Sequence, residues 1–217
     1  TEADWRAAVQ LWRRHAAEVL ATVADRPCPA CDSAQSRELF ESYDAHRYHE
    51  CADCGCWFVP KRVNWSTFEA FFARSPEGAA LARAMMNARD EDAKRTADMQ
   101  RIGGYLDDLL PMLRQGDQPV RYLDAGCGVG RSLRAGRERG LTVQGVEVDT
   151  EALALARADR LPVAGPGDPL TTGPYHLLSF WETLEHIDDP LAALMQYLPH
   201  LDPDGLVAIT VPNLNAL

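Results

Sequence analysis

Nowhere in its 217 residues does the chain approach the roughly 20 consecutive apolar residues that a bilayer-spanning helix requires. A charged-then-apolar leader is also absent, so the expectation is a cytoplasmic protein with no membrane partner. Basic residues are in deficit: 22 Lys and Arg stand against 32 Asp and Glu, giving a net charge of −10 and a pI near 5.0. That field repels polyanions and argues against nonspecific nucleic-acid binding. The densest basic stretch, Arg131, Arg134, Arg137 and Arg139, is spaced around one amphipathic helix and is expected to be a solvated face. Cysteine is scarce, six in all, and five of the six fall between positions 28 and 56. Hydrophobic content of 46% and charged content of 25% are ordinary for a globular chain of one main domain plus a small module.

What is present is organised around Tyr122-Leu123-Asp124-Ala125-Gly126-Cys127-Gly128-Val129-Gly130-Arg131. Val120 to Ala125 reads as a buried strand, glycines follow at alternate positions, and Ser132 opens a helical pattern. Glycine lets a ligand approach the backbone where a Cβ would obstruct it, and it accepts the φ values of a tight turn. A dinucleotide site wants G-x-G-x-x-G, but here the third glycine arrives one residue early. Asp124 would sit badly beside a pyrophosphate and well beside a cationic ligand.

Leu123-Asp124-x-Gly126-x-Gly128-x-Gly130 resembles the first motif of class I S-adenosylmethionine-dependent methyltransferases. Similarity continues to the end of the chain. Thr142 to Val146 reads as a second strand ending at Glu147, 23 residues after Asp124, where a carboxylate can accept both ribose hydroxyls of a nucleoside. Tyr175 to Trp181 resembles the fourth strand, Glu182 to Pro190 the loop after it, and Asp202-Pro203-Asp204-Gly205 the turn into a fifth strand, Leu206 to Val211. Leu161 to Ala164 is expected as the third strand. The resemblance implies a doubly wound, mostly parallel α/β sheet of the Rossmann-like methyltransferase fold, truncated at its C-terminus. It implies S-adenosylmethionine as cofactor and S-adenosylhomocysteine as product, with Asp124, Gly126, Cys127, Gly128, Gly130, Glu147, Val148, Asp168 and Trp181 as cofactor-binding candidates. Asp168 is the one acidic residue available to face an adenine, with a plain turn aspartate as its alternative. His186, after the fourth strand, is the candidate general base, with fixing of the loop as its other reading. Glu182-x-x-Glu185-His186 also has the composition of a divalent-cation site, although the downstream histidine such a site needs is missing.

The first half carries a different signal. Ala3 to Ala24 places Trp5, Val9, Trp12, Val19 and Leu20 on a helical repeat, an amphipathic helix expected to pack on another module. Cys28-x-x-Cys31 and Cys51-x-x-Cys54 are separated by 19 residues, the spacing of a zinc ribbon in which each knuckle supplies two thiolates. Disulfides would need an oxidising compartment, and a thioredoxin-like pair needs one CxxC within an α/β domain. Cys56 is a spare thiol and His49 an alternative ligand. Ser66 is a plausible cap for Thr67 to Arg74, and Pro76 opens a longer helix through Met85 and Met86, read as core filler. Arg89 to Arg101 continues helically until Gly103-Gly104 interrupts it ahead of Tyr105 to Leu113, and Tyr105 or Arg101 is placed by analogy beside the cofactor.

The expected organisation is therefore a helix (1–26), a zinc ribbon (27–60), a helical linker or lid (61–118) and a cofactor-binding domain (119–217). The expected activity is methyl transfer to an oxygen, nitrogen or carbon nucleophile of a small-molecule or sugar-linked metabolite. An RNA methyltransferase gripping its substrate through the ribbon, and a binding scaffold without turnover, are the rival readings.

Overall fold

The computed structural model describes residues 2–63, 65–87, 92–113, 119–170 and 173–212. Backbone contacts divide the chain into two units, Thr1–Glu91 and Asp92–Leu217. The expected linker over 61–118 is thus split, its first two helices falling in the first unit and its third in the second. Arg89 and the side chains of Ser66, Met85 and Met86 lie outside the described residues.

The first unit begins with α1 (Glu2–Ala21), followed by β1 (Ser36–Glu41), β2 (Arg47–Cys51) and β3 (Trp57–Phe58), then α2 (Trp65–Phe72) and α3 (Pro76–Asn87). Ala8, Trp12, Ala16 and Val19 recur at helical spacing and form the buried stripe of α1, meeting Phe71 and Phe72 of α2. Trp12 is the anchor: its indole N–H donates to the Asp44 carbonyl at 2.8 Å, and its ring meets Phe71 edge-on at 5.3 Å. Trp5, the other tryptophan of the pattern, is exposed. The three strands form an antiparallel sheet in the order β1-β2-β3, with a bulge between Glu38 and Phe40.

The second unit carries α4 (Asp92–Leu113), β4 (Arg121–Ala125), α5 (Arg131–Glu138), β5 (Thr142–Val146), α6 (Thr150–Ala158), β6 (Val163–Ala164), β7 (Tyr175–Trp181), α7 (Pro190–Tyr197) and β8 (Leu201–Thr210). All five strands are parallel, in the order β6-β5-β4-β7-β8. Alternation along β4 sends Tyr122 to one core, with Leu106, Leu110, Leu133 and Leu177, and sends Leu123 and Ala125 to the other, with Leu178 and Phe180. This is the doubly wound architecture that the sequence predicts.

Three expectations are corrected. Helix α4 runs unbroken through Gly103-Gly104. A Cβ at Gly103 would lie 2.5 Å from the Arg139 guanidinium, so the glycine makes room for an arginine that crosses from α5 to bond both Asp107 oxygens at 2.8 Å. Asp202 to Gly205 is a loop-out inside β8 and does not precede it: Leu201 pairs with Tyr175 and Leu206 with Leu177, leaving four residues opposite one. The Asp204 N–H donates to the Asp202 carboxylate at 3.1 Å and closes this excursion. Strand β6 holds only Val163 and Ala164, because Leu161 N–H is still bonded to Ala156 at the end of α6 and Pro162 has no N–H to offer.

Gly145 in β5 shows how tightly the turn and sheet are packed, since a Cβ there would lie 2.5 Å from the Cys127 sulfur and 2.8 Å from Leu133. Gly145→Ala is expected to destabilise the second unit by about 1–3 kcal/mol through overpacking. Denaturant unfolding followed by circular dichroism measures it, and a midpoint unchanged from the parent would contradict this account of the glycine.

Candidate functional site

Strand β4 has β5 on one side and β7 on the other, so the chain reverses its direction of winding there and a crevice opens beyond the C-terminal ends of the strands. The glycine turn lies at its floor. Gly126 and Cys127 N–H groups both donate to the Val146 carbonyl, at 2.8 and 3.0 Å, and Gly130 N–H donates to Cys127 at 2.9 Å. All three glycines have positive φ, 78°, 54° and 82°. Their surroundings differ. A Cβ at Gly126 would strike Thr183 at 2.3 Å and one at Gly130 would strike Leu161 at 2.2 Å, whereas one at Gly128 would meet nothing within 4 Å. The outer two glycines are thus demanded by packing, and the middle one keeps an open face.

Glu147, at the end of β5, is buried and tied to this turn. One carboxylate oxygen accepts the Gly128 N–H at 2.6 Å, and the other accepts the N–H groups of Val148 and Asp149, both at 2.8 Å. Three backbone donors orient the carboxylate and leave about one of its four lone-pair sites, on the oxygen that meets Gly128, for a hydroxyl donor. Asp149 goes on to cap α6 through Ala152 N–H, and Val148 is exposed beside it.

Asp124 is only 2% exposed. It lies beneath the turn, with one oxygen accepting from the Ser132 hydroxyl of α5 and the other from Ser179 of β7 at 2.6 Å. Burial pushes its carboxyl up to about 7; the two hydroxyls oppose the shift and the nearby Glu147 charge adds to it. Burial, with the charges of Asp124 and Glu147, also holds the Cys127 thiol protonated and well above its usual range. It is a packing residue in the space that Gly145 leaves.

At the end of β7, Trp181 donates its indole N–H to the Tyr122 hydroxyl at 2.7 Å and stacks on Tyr105 of α4, ring centres 5.5 Å apart. Next to it Glu182 has φ 52°, rare for a residue with a side chain, and its carboxylate accepts from Arg101 of α4 at 3.2 Å. A second ion pair, Arg131 to Asp98 at 2.7 Å, joins the start of α5 to α4. His186 lies in the 3-10 turn Leu184–His186, with its side chain 75% exposed and 4.0 Å from the Glu185 carboxylate. Asp168 closes its own loop, one carboxylate oxygen accepting from Arg157 at 2.5 Å and from Gly165 N–H at 2.9 Å. His176 is at the far end of β7, accepting the Arg121 N–H at 2.9 Å.

The helix arginines are all engaged, Arg134 with Asp159, Arg137 with the Arg160 carbonyl and Arg139 with Asp107. Tyr122, Ser132, Ser179 and Thr183 line the candidate site without being predicted from the sequence as site residues, and Glu182, predicted only as part of a cation site, pairs with Arg101 instead. The hint available was Ser179, a lone hydroxyl in the apolar run of β7.

In the first unit the four CxxC sulfurs all lie within 4.8 Å of one another. The cross pairs Cys28–Cys54 and Cys31–Cys51 are both 3.6 Å apart, near the edge of about 3.8 Å that a tetrahedron of 2.3 Å zinc–sulfur bonds would have. The knuckles repeat each other. Asp32 N–H donates to Cys28 and Gly55 N–H to Cys51, each from a left-handed residue, φ 58° and 73°, while Cys28 and Cys51 N–H groups reach Ser33 and Cys56. The His49 ring is engaged with Ser36 at 3.1 Å, and the Cys56 thiol points to the Trp57 carbonyl at 3.6 Å. Among the described residues these four cysteines are the one group whose atoms converge as metal ligands, and Glu182, Glu185 and His186 do not.

Curated relatives resemble this chain in part. A ubiquinone biosynthesis O-methyltransferase of Paracidovorax citrulli is 27% identical over 124 residues, covering 52% of this chain and 50% of the relative. One of Bordetella avium is 31% identical over 108 residues, 45% of each chain. The chain spans about half the length of the curated relatives it matches. Among solved structures, the plantazolicin methyltransferase BpumL in complex with S-adenosylhomocysteine aligns at 17% identity and a TM-score of 0.49, over 67% of this chain and 57% of that one. The model of the family described as a methyltransferase domain matches residues 67–216, more than half of the chain, and the protein therefore belongs to the methyltransferase domain family.

Proposed function

We propose that the second unit binds S-adenosylmethionine at the crevice and directs its methyl group to an oxygen, nitrogen or carbon nucleophile of a small molecule. The observation that carries this reading is the Glu147 carboxylate, pre-oriented by three backbone N–H groups next to the open face of Gly128. Glu147 would accept a ribose hydroxyl, Gly128 would let the ligand lie against the backbone, and Val148, exposed at the strand end, would cover an adenine face. Gly126 and Gly130 shape the turn, and the Trp181–Tyr105 stack walls the crevice on its other side. When bound, the cofactor supplies a methyl group on a sulfonium, already activated for displacement. What remains for the protein is positioning and the exclusion of water.

His186, exposed at the edge of the crevice, is the proposed base for an acceptor that must lose a proton. An acidic chain whose helix arginines are all paired supports a small acceptor over RNA. The names of the curated relatives are consistent with that preference, since ubiquinone precursors are small molecules. The four convergent thiols of the first unit are proposed to hold one zinc ion as thiolates, a structural role in a module whose own buried apolar cluster is only Cys28, Cys51 and Phe58 with Cys56 against it.

Metal analysis of protein purified without chelator should give about one zinc per chain. Because a structural zinc contributes on the order of 10 kcal/mol to such a module, stripping it should unfold the ribbon. A zinc-free preparation with an unchanged circular dichroism spectrum would refute the assignment.

A charge-assisted hydrogen bond contributes about 1.5–3 kcal/mol, so Glu147→Ala should weaken S-adenosylmethionine binding by roughly tenfold to a hundredfold in calorimetry. Unchanged affinity in this variant would contradict the placement of the ribose.

The cofactor is cationic at its sulfonium and ammonium, and a cation near Asp124 favours the ionised carboxylate. Binding should therefore release a proton below pH 7, so affinity is fully present above about 7 and declines as pH falls through that value. The slope should approach tenfold per pH unit at most, and Asp124→Asn should flatten it. A parent profile that is level between pH 6 and 8 would rule out this linkage.

A further inference from the structure

Four buried or half-buried groups on one face of the sheet form a continuous hydrogen-bonded line. Trp181 donates to Tyr122 at 2.7 Å, the Tyr122 and Ser179 hydroxyls are 2.8 Å apart, and Ser179 donates to Asp124 at 2.6 Å. With Asp124 ionised, the line has a fixed direction. An indole N–H can only donate and an ionised carboxylate can only accept. The proton of Ser179 is committed to Asp124, so the Tyr122 hydroxyl must donate to Ser179 and receive from Trp181. Tyr122 and Ser179 are both 0% exposed, so no solvent competes for these groups. The other Asp124 oxygen accepts from Ser132, in the first turn of α5 immediately after the glycines.

One carboxylate thus terminates two paths. One runs to the start of α5 and the glycine turn, on the side where Glu147 lies. The other runs across the switch point to Trp181, whose ring is stacked on Tyr105 of α4. The sequence reading made Asp124 a cofactor ligand, but its two oxygens are already taken by hydroxyls and it is almost fully buried.

We propose that Asp124 is a positioning residue that never touches the cofactor: through Ser179 and Tyr122 it fixes the plane of the Trp181 indole, and through Ser132 it fixes the start of α5, so that both walls of the crevice are set by one buried charge. This inference rests on reading the crevice as the cofactor site, yet the line itself can be tested without cofactor.

The experiment follows the indole N–H resonance of Trp181 in the 217-residue chain labelled with nitrogen-15. The resonance is assigned by its loss in Trp181→Phe. Ser179→Ala, the smallest cut in the line, and Asp124→Asn, which removes the charge at its end, should both move this resonance upfield in ligand-free protein and speed its exchange with solvent. Ser179→Thr, which keeps the hydroxyl, should leave it near the parent position. Calorimetry with S-adenosylhomocysteine should show binding weakened about tenfold by Ser179→Ala and restored by Ser179→Thr. A role in stability alone would lower the melting temperature of Ser179→Ala without moving the Trp181 signal, and that result overturns the proposal. So does a signal that responds to Tyr122→Phe but to neither Ser179→Ala nor Asp124→Asn, because the line would then end at Tyr122. If the parent fails to bind S-adenosylhomocysteine, the cofactor reading falls, while the resonance still decides whether Asp124 sets Trp181.

Discussion

The bond from Gly128 N–H to the Glu147 carboxylate joins two strand ends that the sheet alone would leave side by side. Parallel pairing of β4 with β5 brings Asp124 level with Gly145 and Ala125 level with Val146, and it goes no further. Beyond that point the backbone of the turn must find its own partners, since a buried N–H without one costs free energy comparable to a lost hydrogen bond. Val146 supplies a carbonyl to two of these N–H groups and Glu147 a carboxylate to a third. The turn is held from one side, leaving the other side of Gly128 uncovered. Everything at the crevice depends on that asymmetry.

Much of this was legible in the residues. The boundaries of β5 and β7 agree with the sequence reading because β7 is a largely apolar run between Pro174 and Glu182, and β5 carries β-branched residues between Gly140 and Glu147. Helix α1 and the helix opened by Pro76 follow from periodicity and from proline geometry. Gly103-Gly104 misled because the reading weighed local propensity, whereas the position is decided by an arginine 36 residues later in the chain. Asp124 was found, but its neighbours Ser132, Ser179 and Tyr122 were not. A serine in a strand reads the same whether it faces solvent or a buried carboxylate, and only the register between β4 and β7 brings Ser179 beside Asp124.

The two units solve different problems of size. The second has two apolar layers, one on each face of its sheet, and can spend one buried carboxylate on order within the crevice. The ribbon of the first unit has three short strands and few large buried side chains. Its shape comes from paired turns of the same geometry, in which four thiols meet at one point. Helix α1 adds a separate apolar cluster, tied to the loop between β1 and β2 by the Trp12 indole N–H and by the Arg13 guanidinium, which donates to the Ser42 and Tyr43 carbonyls.

The unbroken course of α4 constrains how the crevice can open. Its Arg101 and Tyr105 face Glu182 and Trp181 at the mouth, while Ile102, Leu106 and Leu110 on the same turns are locked in the core. A glycine pair at 103 and 104 would ordinarily serve as a hinge between Arg101 and Tyr105. Here the guanidinium of Arg139, held in place by both Asp107 oxygens, occupies the space beside Gly103, so the helix cannot fold toward that side without displacing it. The helix therefore behaves as a stiff lever. Moving its mouth-facing side chains away from Glu182 and Trp181 would mean either unwinding the turns ahead of Ile102 or drawing Leu106 and Leu110 out of the core.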